Sequence, residues 1–159
     1  MPPVRATRLN HVSVHAVDMD ESIRFYEEVF GAERVPTPSF GFPVVWLQVG
    51  EQQLHIFQRG VTEAPRFHHL SFDVDDFEAV FLKAQELGCL REEDGALVRE
   101  HPAGWAQMYL EDPAGNLIEV DWPDASSLDR SVVPVARLAD MYEQPGEAAA
   151  ATLYRGVRI

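Results

Sequence analysis

Arg8-Leu9-Asn10-His11-Val12-Ser13-Val14-His15 returns 58 residues later as Arg66-Phe67-His68-His69-Leu70-Ser71-Phe72-Asp73. The offset aligns Arg8 with Arg66, His11 with His69, Ser13 with Ser71 and Asp18 with Asp76. Each copy runs into an amphipathic helical pattern that stops at a glycine, Gly31 and then Gly88. A period this long exceeds that of most solenoid repeats, so the chain reads as two copies of one supersecondary unit.

Working outward, residues 9–17 alternate: Val12, Val14 and Ala16 share one side, His11, Ser13 and His15 the other. That is the period of a half-buried strand. Asp18 or Asp20 is suited to cap a helix with Ile23, Tyr26 and Phe30 on one face. After the breaks at Pro36-Thr37-Pro38 and Gly41-Phe42-Pro43, Val44–Val49 and Gln52–Gln58 read as strands joined at Gly50-Glu51. The first module, residues 1–62, is therefore β-α-β-β-β.

The second module, residues 63–124, repeats the order. Phe67–Val74 alternates, and Phe77, Val80, Phe81, Ala84 and Leu87 recur at helical spacing before Gly88. Asp94-Gly95 signals a turn ahead of a strand near Leu97–Glu100. Ala106–Glu111 and Leu117–Trp122 flank Asp112-Pro113-Ala114-Gly115-Asn116, a strong hairpin connection. The tail, residues 125–159, offers one helix candidate, Val135–Glu143, and is expected to pack across a sheet edge or a partner subunit.

Composition narrows the function classes. At 159 residues the chain can hold one well-cored domain or two small modules. A net charge of −13 argues against nucleic acid or an anionic membrane as partner and leaves a small-molecule substrate, or at most a cationic ligand. No apolar run approaches the ~20 residues of a membrane span. Met1-Pro2-Pro3-Val4-Arg5 lacks the apolar segment of a secretory signal. With one cysteine, Cys89, an intrachain disulfide is impossible, and the expected location is cytoplasmic.

Four strands carry a polar residue of a particular kind on the face opposite their apolar residues. His11 lies opposite Val12 and Val14, His55 opposite Leu54 and Ile56, His69 opposite Leu70 and Phe72, and Glu119 opposite Ile118 and Val120. His68 shares the helix-facing side with Leu70, which makes His69 the better candidate. Three imidazoles and a carboxylate at repeat-related positions are a ligand set for a divalent metal. Taken singly, a histidine on a strand is more often a hydrogen-bonded structural residue than a ligand; the joint placement is what points to a metal. His15, two residues beyond His11 on its face, is expected to be solvated.

The duplication, Ser22-Ile23-Arg24-Phe25-Tyr26 with Val29-Phe30-Gly31, and Asp112-Pro113-Ala114-Gly115-Asn116-Leu117-Ile118-Glu119 together resemble the vicinal oxygen chelate superfamily. That family includes glyoxalase I, methylmalonyl-CoA epimerase, fosfomycin-resistance transferases, bleomycin-binding proteins and extradiol dioxygenases. The resemblance spans roughly residues 8–123. It implies an α+β fold in which two βαβββ modules form a cupped eight-stranded mixed sheet with helices outside. It also implies a metal ligated from the first and last strands of each module, at positions matching His11, His55, His69 and Glu119, and a homodimer.

Three readings compete under that resemblance. An extradiol-type dioxygenase, the leading expectation, would use His11, His69 and Glu119 on Fe(II), with Tyr109 hydrogen-bonding substrate and His55 or His101 moving protons. Arg99 departs from that pattern, where a small or β-branched residue is preferred. A glyoxalase- or epimerase-like lyase or isomerase would use His55 as a fourth ligand or base and accept Zn, Ni, Co or Mn. A metal-free bleomycin-type binding protein would have no need of the intact ligand set.

Overall fold

The computed structural model describes residues 5–6, 8–60, 63, 65, 67–147 and 150–154. Arg66 of the repeated stretch, the amino-terminal residues 1–4, and residues 61, 62 and 64 of the connection lie outside these. Two compact units divide the chain: residues up to His68 together with Asp112–Asn116, and His69–Glu111 together with Leu117 onward.

In the first unit the order is β1 (His11–His15), α1 (Met19–Phe30), β2 (Glu33–Val35), β3 (Val44–Val49) and β4 (Gln52–Phe57). The four strands form one sheet in the order β1-β4-β3-β2, with β1 parallel to β4 and the other pairs antiparallel. Asp18 starts α1 because its carboxylate accepts the Glu21 N–H at 2.9 Å. Gly31 ends it in the left-handed region, φ 61°, which residues with a Cβ enter at a cost. The face of α1 that turns inward carries Ile23, Phe25, Tyr26 and Val29, buried with Val14, Leu47, Leu54 and Ile56. The alternation of the strands supplied this second apolar surface.

The second unit repeats the opening: β5 (His69–Asp73), then α2 (Phe77–Leu87), capped by Asp76 on the Ala79 N–H at 2.9 Å and closed by Gly88 at φ 66°. There follow β6 (Leu90–Arg91), β7 (Val98–Glu100), β8 (Ala106–Glu111), β9 (Leu117–Trp122), a 3-10 turn at Ala125–Ser127, β10 (Val135–Arg137) and α3 (Leu138–Met141). The sheet order is β10-β7-β8-β9-β5, with β6 also pairing on β8. Phe77, Phe81, Ala84, Met108, Leu110, Ile118 and Val120 are buried; Leu87, expected on the apolar face of α2, is 44% exposed at its end.

The α+β architecture and the repeated element order match expectation, but the strands hydrogen-bond as sheets of four and six, not as one eight-stranded sheet. Two differences account for the count. The Asp94-Gly95 turn separates β6 from β7, and both pieces pair along β8. In the tail, the segment expected to open a helix at Val135 is a strand, parallel to β7, and the helix is confined to Leu138–Met141. The open edge of β7 offers Val135–Arg137 backbone partners, and a β-branched residue suits that edge. The tail thus meets the sheet-edge half of its expectation. No helix among the described residues is long and apolar enough to cross a membrane.

Candidate active site

The first unit presents its two candidate donors as neighbouring rings. His55 sits on β4 directly beside Ser13 of β1 and opposite Trp46 of β3. Side chains on adjacent strands stand about one strand spacing apart. The rings accordingly stack, His11 on His55 at 4.3 Å between centroids and 17°, His55 on Trp46 at 4.4 Å and 6°. His55 is 7% exposed, and its Nε2 lies 2.9 Å from Gln53 Oε1. Burial, with a smaller contribution from His11, lowers the His55 pKa, so that the imidazole is neutral around pH 7. Neutral imidazole is the form that ligates metal or accepts a proton. His15, expected to be solvated, is half-buried with an Nε2 that has no hydrogen-bond partner.

Behind this sheet, the hairpin connection acts as a clamp. Asp112 is 4% exposed and accepts from the Tyr26 hydroxyl at 2.8 Å, the Ala114 N–H at 2.9 Å, and both the Asn116 N–H and side-chain amide at 2.8 Å. Asn116 in turn donates to the His15 carbonyl at 2.8 Å, fixing the end of β1. Burial and the neighbouring Asp112 charge push the Tyr26 hydroxyl well above the usual phenol range, which keeps it a donor.

In the second unit the equivalent position is a carboxylate. Glu119 of β9 lies beside Ser71 of β5 and opposite Tyr109 of β8. His69 Nε2 is 3.6 Å from Glu119 Oε2, and the Tyr109 hydroxyl hydrogen-bonds Glu119. Burial and that bond push Tyr109 above its ordinary range. Gln107 donates to the Tyr109 oxygen at 3.2 Å and its own Oε1 lies 2.8 Å from His101 Nε2. His101 stacks on Trp105 at 3.5 Å, and burial lowers its pKa. It therefore reaches Tyr109 only through Gln107. Arg99, the departure noted above, places its guanidinium carbon 5.5 Å from the Tyr109 ring centroid.

Asp121, on the same face two residues beyond Glu119, is 2% exposed and accepts from Ser71, leaving its other oxygen buried without a partner. Burial and the Glu119 and Asp73 charges push its carboxyl up to about 7. The Tyr154 hydroxyl closes the row on Asp73 at 2.9 Å. Asp121, Gln107 and Trp46 were missed from sequence, although the period of two that singled out Glu119 also puts Asp121 on its face.

The structure thus joins His11 with His55 in one unit, and His69, Tyr109 and Glu119 in the other. Among the described residues, no three His, Cys, Asp or Glu side chains are gathered as a metal site. The donor chemistry fits a cation nonetheless. Two ligands ~2.1 Å from one ion at tetrahedral to trigonal angles stand roughly 3.4–3.6 Å apart, and the His69–Glu119 separation is 3.6 Å.

The model of the Glyoxalase/Bleomycin resistance protein/Dioxygenase superfamily matches residues 8–120, and the chain belongs to that family. It is 32% identical over 127 residues to "Glyoxylase I 4" of Arabidopsis thaliana, covering 74% of this chain and 72% of that protein. It is 25% identical over 134 residues to the mitochondrial methylmalonyl-CoA epimerase of Mus musculus, covering 76% and 75%. Among solved structures, a point mutant of the fosfomycin resistance protein FosX from Listeria monocytogenes, complexed with Mn(II) and 1S,2S-dihydroxypropylphosphonic acid, shares the fold. Its TM-score is 0.61 at 15% identity, covering 73% of this chain and 92% of that one.

Proposed function

We propose that the protein is a divalent-metal-dependent lyase or isomerase that moves a proton on a small substrate with two adjacent oxygens. The likeness of about three-quarters of the chain to proteins named glyoxylase and epimerase is the observation that carries this choice over ring cleavage. We assign His11, His55, His69 and Glu119 as the donors that hold the cation. When bound, the metal supplies Lewis acidity to the paired substrate oxygens.

The remaining roles belong to the chain. Glu119 takes the proton from the carbon beside the substrate carbonyl, and the Tyr109 hydroxyl fixes the carboxylate that does so. His55, its pKa lowered by burial, is held in the neutral form that ligates a cation. Gln107 orients Tyr109 and, through it, Glu119. The Fe(II) dioxygenase reading rests on the sequence pattern around His101 and Tyr109. It is the weaker one, because the His101 imidazole is engaged by Gln107 and Trp105. A cytoplasmic location and a homodimer belong to the same proposal.

The test is deuterium exchange. Protein reconstituted with Mn(II), the cation bound by the Listeria protein, is incubated in D2O with a 2-methylmalonyl thioester or a methylglyoxal hemithioacetal. Metal-dependent incorporation at carbon, read by NMR and lost in Glu119→Gln, is the expected outcome. Oxygen uptake on a catechol panel by Fe(II)-loaded protein, without carbon exchange on either compound, would reverse the choice.

A further inference from the structure

The rings of the first unit continue past Trp46. Phe40 lies 6.1 Å from Trp46 and 6.3 Å from Phe42, and Phe42 lies 6.0 Å from Phe57. With His55 and His11 they make one unbroken row, from two proposed donors out to a side chain that is 46% exposed. The loop that carries Phe40 and Phe42 is anchored at both ends. Thr37 Oγ1 accepts the Trp46 N–H at 2.9 Å, and the Pro43 carbonyl accepts the Gln58 N–H at 3.1 Å. Gly41 between the two phenylalanines has φ 77°, a turn that a residue with a Cβ resists.

An exposed phenylalanine on an anchored loop costs solvation free energy that an apolar ligand would recover. One charged group on the same row is open to a ligand. Arg59, exposed, holds its guanidinium 4.8 Å over Phe42, and none of the ion pairs among the described residues includes it. In a chain of net charge −13, that cation marks where an anionic group is tolerated.

We propose that Phe40, Phe42 and Trp46 form a subsite for an aromatic ring borne by the substrate, which is an aryl-substituted 2-hydroxy or 2-oxo acid. The inference rests on the assignment of His11 and His55 as donors and adds the class of substrate to it. Ring edges meet the face of the incoming ring, and Arg59 faces its negative charge.

Mandelate and lactate share a 2-hydroxy acid head and differ in a phenyl against a methyl group, so their relative affinity reads the subsite alone. Isothermal titration of the whole chain, with and without Mn(II), is expected to show mandelate bound about tenfold more tightly. Phe40→Ala, with Phe40→Leu as a second variant should alanine disturb the loop, is expected to cut that ratio at least threefold without changing lactate binding. A wild-type ratio near one, no binding of either acid to protein that takes up Mn(II), or a ratio unmoved by Phe40→Ala would each overturn the proposal. If Mn(II) is not taken up while mandelate is preferred in a Phe40-dependent way, the ring subsite stands and the metal assignment alone falls.

Discussion

In the first unit β1 runs parallel to β4 with Ser13 beside His55; in the second, β5 runs parallel to β9 with Ser71 beside Glu119. The two positions correspond in register, and both residues are 7% exposed. Their surroundings differ. His55 is packed between two rings, whereas Glu119 faces a tyrosine, an imidazole and a second carboxylate, Asp121. Burial acts on His55 and on Asp121, the carboxylate next to Glu119 on β9, in the same sense, toward the uncharged form, and the residue type decides the result. It lowers the imidazole pKa of His55 and raises that of Asp121 beside Glu119. One scaffold, used twice, thus places an imidazole of lowered pKa at this position in one half and a carboxylate in the other.

The largest effect should come from the acidic half. Glu119→Ala is expected to reduce carbon–deuterium exchange at least ~1000-fold, since it removes both a proposed donor and the proposed base. Steady-state exchange rates on Mn(II)-loaded variants check this, and activity within tenfold of wild type would break the division of labour. Next comes the clamp on the first unit. Asp112→Ala leaves the buried Tyr26 hydroxyl and the Asn116 amide without their acceptor, at a cost of roughly 3 kcal/mol. For a chain of this size that is about a 6–12 °C fall in Tm by calorimetry. Tyr26→Phe, which leaves Asp112 its three bonds from Ala114 and Asn116, should cost roughly 1–1.5 kcal/mol by urea denaturation.

The smallest effects are the pH slopes, and the halves should differ in sign. The folded pKa of Asp121 is raised to about 7. Its stabilising contribution is full below the unfolded carboxylate value near ~3.9 and is lost as pH climbs through about 7. Asp121→Asn should therefore flatten the decline in urea midpoint between those values. The folded pKa of His55 is lowered. Its contribution is present above the unfolded histidine value near ~6.5 and is lost as pH falls. His55→Phe should remove that acid-side loss. Slopes of one sign in both variants would erase the contrast.

Much of this fold was legible because its signals are local. Asp18 and Asp76 cap their helices, Gly31 and Gly88 end them, and Val44–Val49, Ala106–Glu111 and Leu117–Trp122 begin and end where alternation and turn residues place them. The faces of His11, His55, His69 and Glu119 followed from the same alternation. What failed was non-local. Val135–Arg137 carries no strong period of its own and is a strand because β7 has an open edge. The role of Asp112 as acceptor for Tyr26, 86 residues away, is invisible in a motif that reads as a turn. Trp46 joined the site through cross-strand pairing with His55, which depends on a register that the sequence alone left open.

His11, His55, His69 and Glu119 are the donors proposed for one cation, and Mn(II) titration followed by electron paramagnetic resonance on wild type, His11→Ala, His69→Ala and Glu119→Ala measures whether each contributes. One tightly bound Mn(II) per chain is expected in wild type, with at least ~10-fold weaker binding in every variant. Unchanged stoichiometry and affinity in His11→Ala, with loss confined to His69→Ala and Glu119→Ala, would contradict that assignment.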